Sequence, residues 1–272
     1  MSGEKERIDS ALVRRGLASS REKAQAMIMA GEVYIGQRKA VKSSETVCAA
    51  DQLILKSCGE KYVSRGAYKL DKALRSFQAN LKDRIIMDIG ASTGGFTDVC
   101  LRNGAKHVYA IDVGYGQLDW KLRNDPRVTV LERTNARYLK RQMFSEIPEI
   151  AVMDVSFISI RLILPTAFEV MGSNGIMYTL IKPQFEAGRD KIGKNGVVRN
   201  PDIHIDVIKG ISRYAASVGL QMRRLDFSPI TGPEGNIEFL AEIRLRCDNA
   251  PEVEENEIFR IVEEAHKYLA RS

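Results

Sequence analysis

The sequence predicts an α/β fold, with a seven-stranded, mainly parallel sheet covered by helices on both faces and a small α+β domain before it. From Ser64 to Cys247, short apolar runs alternate with helical patterns, and such alternation builds parallel sheets. The first sixty or so residues instead indicate two short helices followed by short strands. We therefore expect a small domain over residues 1–56, a linker over 57–63, and the α/β domain over 64–272.

The small domain shows helical spacing first and strand-like runs afterwards. Ile8 and Leu12 share one helical face, and Ala24 and Ile28 share a face of the next predicted helix. Val33-Tyr34-Ile35 and Leu53-Ile54-Leu55 are then typical of short strands.

Positive charge is concentrated in this domain. The whole chain has a net charge of +6, which favours an acidic partner, with nucleic acid first and an anionic membrane second. A pair of short helices and a hairpin with so many basic residues are typical of a domain that binds the RNA backbone. The alternative is a solvated surface on a small helical adaptor, which gives the same pattern. The predicted RNA contacts here are Arg7, Arg14, Arg15, Arg21, Lys23, Arg38 and Lys39.

Seven apolar runs predict the strands of the α/β domain. They are Ile85–Ile89, His107–Ile111, Val128–Leu131, Ile150–Val155, Gly175–Ile181, Gln221–Ser228 and Ile237–Arg244. The last two are joined by Pro229–Gly235, which is too short for a crossover helix, so we expect them to pair antiparallel. A seven-stranded sheet that ends in an antiparallel hairpin is the architecture of class I (Rossmann-like) methyltransferases.

The turn after the first of these strands indicates a cofactor. Its glycines, Gly90 and the pair Gly94-Gly95, do not have the spacing of a dinucleotide-binding turn. Small residues let backbone N–H groups approach a ligand, and an acid with a looser turn suits S-adenosylmethionine, which has no pyrophosphate. A glycine-rich turn without a ligand is the alternative. The predicted contacts are Asp88, Gly90, Ala91, Ser92, Thr93, Gly94 and Phe96.

Polar residues after the next two strands support the same ligand. Asp112 ends the second strand, where an acid can hydrogen-bond both ribose hydroxyls of a nucleoside, and Val113 follows it. Asn135 and Ala136 follow the third strand, where the adenine edge would lie. Three loops with small or polar residues, each after one of three successive strands, predict a nucleoside site.

Four charged residues interrupt apolar element ends. Lys69 lies in a predicted helix, Asp154 and Lys182 end the fourth and fifth strands, and Glu238 opens the last strand. Because the carboxyl ends of parallel strands line the ligand crevice, we expect Asp154 and Lys182 beside the cofactor. We expect a lysine near carboxylates and a sulfonium to lose its proton readily and act as a general base. Ordinary surface salt bridges are the alternative.

These residues resemble known families. Arg7–Leu17, Ser20-Arg21, Ala24 and Gly31–Ile35 resemble the RNA-binding module of ribosomal protein S-four, and Lys–Asp–Lys–Glu in this order resembles the tetrad of FtsJ-like RNA ribose methyltransferases. The whole chain resembles the TlyA (haemolysin A) family through VSRGAYKL, DIGASTGGFTD, AIDVGYGQL, ERTNAR, MDVSFIS, LIKPQFE, KNGVVR and SPITGPEGNIEFL.

That resemblance implies S-adenosylmethionine-dependent 2′-O-methylation of cytidine in small- or large-subunit rRNA, with rRNA or ribosomal subunits as partners. One position departs from the family pattern, because Tyr62 stands where family members carry a linker tryptophan. The loop Glu186–Asn200 is rich in glycine and positive charge, and we interpret it as an RNA-clamping lid, with a disordered solubilising loop as the alternative. The predicted RNA contacts outside the small domain are Arg65, Arg189, Lys191 and Lys194.

Several other classes are disfavoured. No apolar run approaches the roughly 20 residues of a spanning helix, and the first ten residues lack the apolar core of a signal peptide. Cys48, Cys58, Cys100 and Cys247 are scattered, which favours neither a disulfide scaffold nor a zinc site, and we expect no metal and a cytoplasmic location. A non-catalytic RNA-binding ribosome assembly factor is the main competing function, and a pore-forming protein is a distant third.

Overall fold

The computed structural model describes residues 5–18, 20–29, 31–36, 38–48, 51–55, 62–247 and 250–269. The chain divides into two units, Met1–Lys61 and Tyr62–Ser272. Most of the predicted linker, 57–63, lies outside the described residues, so the domain boundaries proposed from the sequence stay predictions.

The N-terminal unit packs two helices against short antiparallel strands. Its described elements are β1 (Glu6–Arg7), α1 (Ile8–Arg14), α2 (Arg21–Met29), β2 (Val33–Ile35), β3 (Arg38–Lys39), β4 (Thr46–Val47) and β5 (Leu53–Leu55). The strand order is β3-β2-β5, and β1 pairs separately with β4. The helical faces predicted from spacing are buried, since Ile8, Leu12, Ala24 and Ile28 form the core together with Val33.

The C-terminal unit contains the predicted sheet and seven described α-helices. Its strands are β6 (Ile85–Ile89), β7 (His107–Ile111), β8 (Val128–Leu131), β9 (Ile150–Met153), β10 (Ile176–Ile181), β11 (Leu220–Phe227) and β12 (Phe239–Leu245). Its helices are α3 (Ala67–Ser76), α4 (Gly95–Arg102), α5 (Trp120–Arg123), α6 (Leu164–Met171), α7 (Pro183–Glu186), α8 (Pro201–Ser217) and α9 (Glu255–Leu269). In the described part of the chain, no helix has both the length and the apolarity to cross a membrane.

The strand order, β11-β12-β10-β9-β6-β7-β8, places the site. Strand β12 runs antiparallel to β10 and β11, and the other pairs are parallel, which confirms the predicted mainly parallel sheet and the antiparallel pairing of the last two strands. The chain winds from β6 towards β7 and β8 on one side, and β9 and β10 lie on the other side. Such a reversal opens a ligand crevice at the carboxyl ends of the strands, here between β6 and β9.

Three charged residues of the predicted site lie just beyond strand ends. Strands β9 and β10 end one residue before Asp154 and Lys182, and β12 begins one residue after Glu238. The fourth predicted strand, Ile150–Val155, was therefore too long by two residues. A residue just past the sheet no longer packs between helices, so its charged group can reach the crevice.

Candidate active site

A cleft of about 530 Å³ opens at the carboxyl ends of β6, β7, β8 and β9, and we call it the cofactor cleft. A volume of this order is typical of small-molecule sites. The cleft brings together seven of the predicted cofactor contacts from four separate loops: Gly90, Ser92, Asp112, Val113, Asn135, Ala136 and Asp154. The residues predicted from the ends of three strands therefore line one cleft.

The local geometry of this cleft fits a nucleoside. Gly90 has a φ of +83°, and a Cβ built on it would lie 2.5 Å from the carbonyl oxygen of Asp154, so only glycine is accommodated. The Asp112 carboxylate accepts hydrogen bonds from the N–H groups of Ser92 and Gly114, each at 2.7 Å. These bonds fix the carboxylate, and each of its oxygens keeps a second lone pair for a ribose hydroxyl.

Asp88 in β6 and Gly94 in the glycine turn line neither this cleft nor the smaller one described next, which corrects their predicted role as direct contacts. Asp88 is fully buried and accepts a hydrogen bond from the Thr97 hydroxyl at 2.6 Å. Burial raises the pKa of Asp88 to about 7, so it is poorly suited to hold a cation. A Cβ on Gly94 would lie 2.3 Å from Leu122, so this glycine permits helix packing instead.

A smaller cleft of about 250 Å³ adjoins the cofactor cleft at Gly90, Ser92 and Asp154, and we call it the lysine cleft. The remaining predicted contacts of the turn line this space rather than the larger one: Ala91, Thr93 and Phe96. Lys69 and Lys182 line it as well. The lysine cleft therefore joins the glycine turn to the charged residues predicted to carry the chemistry.

The four charged residues form one continuous chain of ion pairs. Lys69 Nζ lies 2.6 Å from Glu238 Oε2 and 3.5 Å from Asp154 Oδ2, and Lys182 Nζ lies 2.6 Å from Asp154 Oδ1. The first contact is a hydrogen bond, whereas the contact between Lys182 and Asp154 is a charge pair without hydrogen-bond geometry. Both lysine side chains are about nine-tenths buried. Four distant sequence positions thus build an alternating cluster, which we call the tetrad.

Ser156 is a member of this site that the sequence reasoning missed. Lys182 Nζ donates a hydrogen bond to Ser156 Oγ at 3.0 Å, which gives Lys182 a neutral partner in addition to Asp154. Ser156 lies two residues after Asp154, and residues two apart in an extended chain face the same side. That alternation, applied to Asp154, would have identified Ser156.

Comparison with known proteins adds a family to this geometry. Residues 62–244 match the FtsJ-like methyltransferase family, and residues 6–53 match the S4 domain. The chain is 50% identical over 272 residues to the "Putative rRNA methyltransferase YqxC" of Bacillus subtilis, across 99% of this chain and 97% of that relative. It is 44% identical over 245 residues to the 16S/23S rRNA (cytidine-2′-O)-methyltransferase TlyA of Mycobacterium tuberculosis, across 90% of this chain and 91% of that one.

A solved structure agrees over the full length. The "Putative hemolysin from Streptococcus thermophilus" shares 45% identity with a TM-score of 0.77, and the match covers 98% of both chains. The chain belongs to the TlyA (haemolysin A) family. It is an S-adenosylmethionine-dependent methyltransferase with an N-terminal S4 domain, which confirms the fold, the enzyme class and the cofactor predicted from the sequence.

The tetrad of this TlyA-family chain gives its two lysines different surroundings. Burial disfavours the ammonium form of Lys69, but Asp154 and Glu238 outweigh burial and raise its pKa above the ordinary lysine value. The two carboxylates therefore favour the ammonium form of Lys69, whereas the prediction had a lysine near carboxylates and a sulfonium lose its proton readily. Lys69 is therefore held as a cation between two carboxylates, whereas Lys182 contacts one of these carboxylates and the neutral hydroxyl of Ser156.

The predicted RNA-binding arginines of the S4 domain are largely engaged in ion pairs. Asp9 is fully buried, and it binds Arg7 at 2.9 Å and Arg21 at 3.2 Å. The hydrogen bond from Arg7, followed by those from Gln25 and Arg21, holds the pKa of Asp9 well below its usual range despite burial. Further ion pairs of this domain join Arg14 to Glu6 and Arg38 to Glu45.

The other predicted RNA contacts of the S4 domain are one structural arginine and two exposed lysines. Arg15 donates to the backbone carbonyls of Asp51 and Cys48, at 2.6 and 2.9 Å, so its guanidinium ties the end of this domain together. Lys23 and Lys39 are exposed, and neither has an acidic partner among the described residues. These two lysines are the predicted contacts best placed to bind phosphate.

The predicted RNA contacts of the methyltransferase domain differ in their surroundings. Arg65 is exposed, and Lys191 lies 3.4 Å from Asp206 on the surface. The side chains of Arg189 and Lys194 lie outside what the structure describes. The RNA-binding role of these four stays a prediction.

Tyr62, where the resemblance implies a linker tryptophan, is part of the methyltransferase unit. It is buried, its hydroxyl donates to Asp71 Oδ1 at 2.7 Å, and its ring meets Tyr68 edge-on with centroids 5.6 Å apart. The guanidinium of Arg102 lies over the same ring, 5.3 Å from its centroid. Tyr62 thus packs as an aromatic anchor with a satisfied hydroxyl.

Proposed function

We propose that this chain transfers the methyl group of S-adenosylmethionine to the 2′-hydroxyl of a cytidine in small-subunit rRNA, large-subunit rRNA, or both. The observation that carries the proposal is the buried tetrad, because it sets two lysines and two carboxylates beside the cofactor cleft. The relative from Mycobacterium tuberculosis is named for this reaction on both rRNAs.

The tetrad supplies what methylation of a hydroxyl requires. S-adenosylmethionine, when bound, supplies an electrophilic methyl group on a positively charged sulfur. Lys182 Nζ, as the free amine, takes the proton from the 2′-hydroxyl, so that the oxygen forms its bond to carbon while the carbon–sulfur bond breaks. Asp154, 2.6 Å from Lys182 Nζ, and Ser156, 3.0 Å from it, orient this lysine towards the lysine cleft.

Lys69 and Glu238 hold the charges of the tetrad in place and do not exchange protons during the reaction. Lys69 stays protonated between Asp154 and Glu238, which offsets two negative charges in a buried place. Without it the carboxylates would repel each other and bind Lys182 more tightly. The S4 domain would hold the rRNA or ribosomal subunit, and a cytoplasmic location belongs to this proposal.

A methyl-transfer assay with ribosomal subunits tests the function. Subunits from cells that lack this protein would be incubated with it and with S-adenosylmethionine labelled in the methyl group, and the rRNA would be digested to nucleosides. The proposal predicts label in 2′-O-methylcytidine. Binding of the subunits without methyl transfer would instead support the RNA-binding assembly factor.

A further inference from the structure

Asp88 is an acidic residue in the interior of the methyltransferase sheet, and no step of the proposed reaction uses it. It lies on β6 with Ala110 and Val152 as its neighbours on β7 and β9, and its side chain is fully buried. A carboxyl group costs free energy at such a position, where an apolar side chain would pack without that cost. Ionisable groups that are buried in this way are concentrated at functional sites.

The chain satisfies only one oxygen of this carboxyl group. Asp88 Oδ2 accepts a hydrogen bond from the Thr97 hydroxyl at 2.6 Å, whereas Oδ1 is buried and receives no hydrogen bond from the described part of the chain. Burial raises the pKa of Asp88 to about 7 against the opposing effect of Thr97, and the negative charges of Asp154 and Asp112 add to the rise. The free protein therefore holds the acid and its carboxylate in comparable amounts at neutral pH.

The elements around Asp88 bring it no cation. Helix α4 faces it with the hydroxyl of Thr97 and the thiol of Cys100, and burial raises the pKa of that thiol well above its ordinary value, so the thiol stays neutral. Lys69 on α3 is already bound to the carboxylate of Asp154, at 3.5 Å. The described residues therefore leave an ionised Asp88 without a counter-charge of its own.

The cofactor carries the missing positive charge, and its cleft begins next to Asp88. The two residues after Asp88, Ile89 and Gly90, line the cofactor cleft, and Gly90 also lines the lysine cleft. A sulfonium that presents its methyl group to the tetrad has to lie near the junction of these two clefts. Two residues of extended chain span about 7 Å. A unit charge about 10 Å away changes an equilibrium constant by roughly tenfold where the effective dielectric constant is about 20.

We propose that Asp88 distinguishes S-adenosylmethionine from its demethylated product by charge, although it lines neither cleft. Asp88 releases its proton when the sulfonium enters, and the carboxylate then stabilises the bound cation through space. The demethylated product has a neutral sulfur, so it gains nothing from this carboxylate, and Asp88 takes up a proton again. The site therefore holds the methyl donor more tightly than the product that it must release.

Calorimetric titration with each form of the cofactor, between about pH 5.5 and 8, tests this proposal. The affinity of the wild-type protein for S-adenosylmethionine, divided by its affinity for the product, should rise roughly tenfold over this range, because fewer protons remain to be released. Asp88→Asn cannot release a proton and should remove that rise. The amino group of the cofactor titrates in the same range, but it affects wild type and variant alike.

Thr97 provides a second test that leaves the acid in place. Thr97→Val removes the hydroxyl that donates to Asp88 Oδ2, which raises the pKa of Asp88 further, so the rise in the affinity ratio should move to higher pH. Thr97→Ser keeps the hydroxyl and is the matched control, and its rise should stay at the wild-type pH. Thermal unfolding shows whether each variant is folded, and the two Thr97 variants decide the matter if Asp88→Asn is not.

Two results would overturn the proposal. One is an affinity ratio with the same pH dependence in the wild type and in folded Asp88→Asn. The other is a Thr97→Val protein whose rise stays at the wild-type pH. No RNA takes part in these titrations, so a protein that fails to methylate rRNA would contradict the proposed function and leave the role of Asp88 standing.

Discussion

In the S4 domain, the two arginines that bind the buried Asp9 stay in solvent, with side chains 47% and 53% exposed. In the methyltransferase domain, the two lysines that bind Asp154 are only 8% and 10% exposed. Both regions thus place a carboxylate between two cations, but only one of them also removes the cations from water.

This difference in exposure matches two different tasks. Exposed ion pairs contribute about 0–1 kcal/mol, so an arginine at the surface can contact an RNA phosphate without a large loss of stability. Removing one partner from a buried pair costs roughly 3–5 kcal/mol, so the tetrad keeps a single arrangement. The S4 domain is therefore suited to binding a polyanion, and the tetrad is suited to positioning a proton acceptor.

We expect the largest effect from replacing a buried lysine of the tetrad. Lys182→Ala should lower methyl transfer to rRNA by roughly a hundred- to ten-thousand-fold, the usual contribution of a proton-transfer group. Cofactor binding measured by calorimetry should be nearly unchanged, because Lys182 does not line the cofactor cleft. Lys106→Ala, at an exposed position before β7, is the matched control and should retain full activity. Near-normal turnover of Lys182→Ala at neutral pH would move the chemistry elsewhere.

A second variant separates binding from chemistry. Asp112→Ala should weaken S-adenosylmethionine binding by roughly ten- to a hundred-fold in calorimetry, because hydrogen bonds to a charged group contribute about 1.5–3 kcal/mol. Its loss also frees the N–H groups of Ser92 and Gly114. Asp206→Ala, an exposed acid on α8, should bind the cofactor normally. Unchanged affinity of Asp112→Ala would remove Asp112 from the cofactor site.

The free energy of unfolding of the S4 domain tests the role of its buried carboxylate, Asp9. Because the pKa of Asp9 is lowered in the folded state, its contribution is present above the unfolded value near 3.9 and is lost as pH falls through the folded value. Asp9→Asn should therefore destabilise the S4 domain at neutral pH by about 1–3 kcal/mol, and by less as the pH is lowered below 4. Denaturant unfolding at several pH values measures this, and a loss that does not depend on pH would contradict it.

We expect the smallest effect at the two exposed lysines of the S4 domain, Lys23 and Lys39. Lys23→Ala and Lys39→Ala should each weaken rRNA binding modestly and reduce the slope of log affinity against log salt by about one, since each removes one phosphate contact. Lys267→Ala, on helix α9, provides a surface-charge control. Filter binding over a range of salt concentrations is sufficient, and an unchanged slope in both variants would exclude these lysines from the RNA interface.

The fold and the tetrad were largely predictable because both follow from one-dimensional patterns. Seven apolar runs, and one short connection before the last strand, determined the sheet and its antiparallel pair. Charged residues at apolar element ends identified Lys69, Asp154, Lys182 and Glu238, since an unneeded charge is costly at such positions.

What the sequence could not resolve depends on side-chain direction and on packing. Asp88 near the end of β6 and Gly90 just after it are two residues apart, yet Gly90 lines the cofactor cleft and Asp88 faces helix α4. The role of Gly94 depends on Leu122, which belongs to a different helix. The sign of the pKa shift of Lys69 required its distances to two carboxylates, which no spacing reveals.

The division of labour between the two lysines is tested most directly by replacing each with arginine, which keeps a positive charge but does not release its proton. Single-turnover methyl transfer to ribosomal subunits would be measured for both variants, with thermal unfolding as a check on folding. If Lys69 is only a fixed cation and Lys182 is the proton acceptor, Lys69→Arg should retain activity within roughly tenfold of wild type, while Lys182→Arg should lose at least about a hundredfold. Equal activities of the two folded variants, or a Lys182→Arg protein more active than Lys69→Arg, would contradict this assignment.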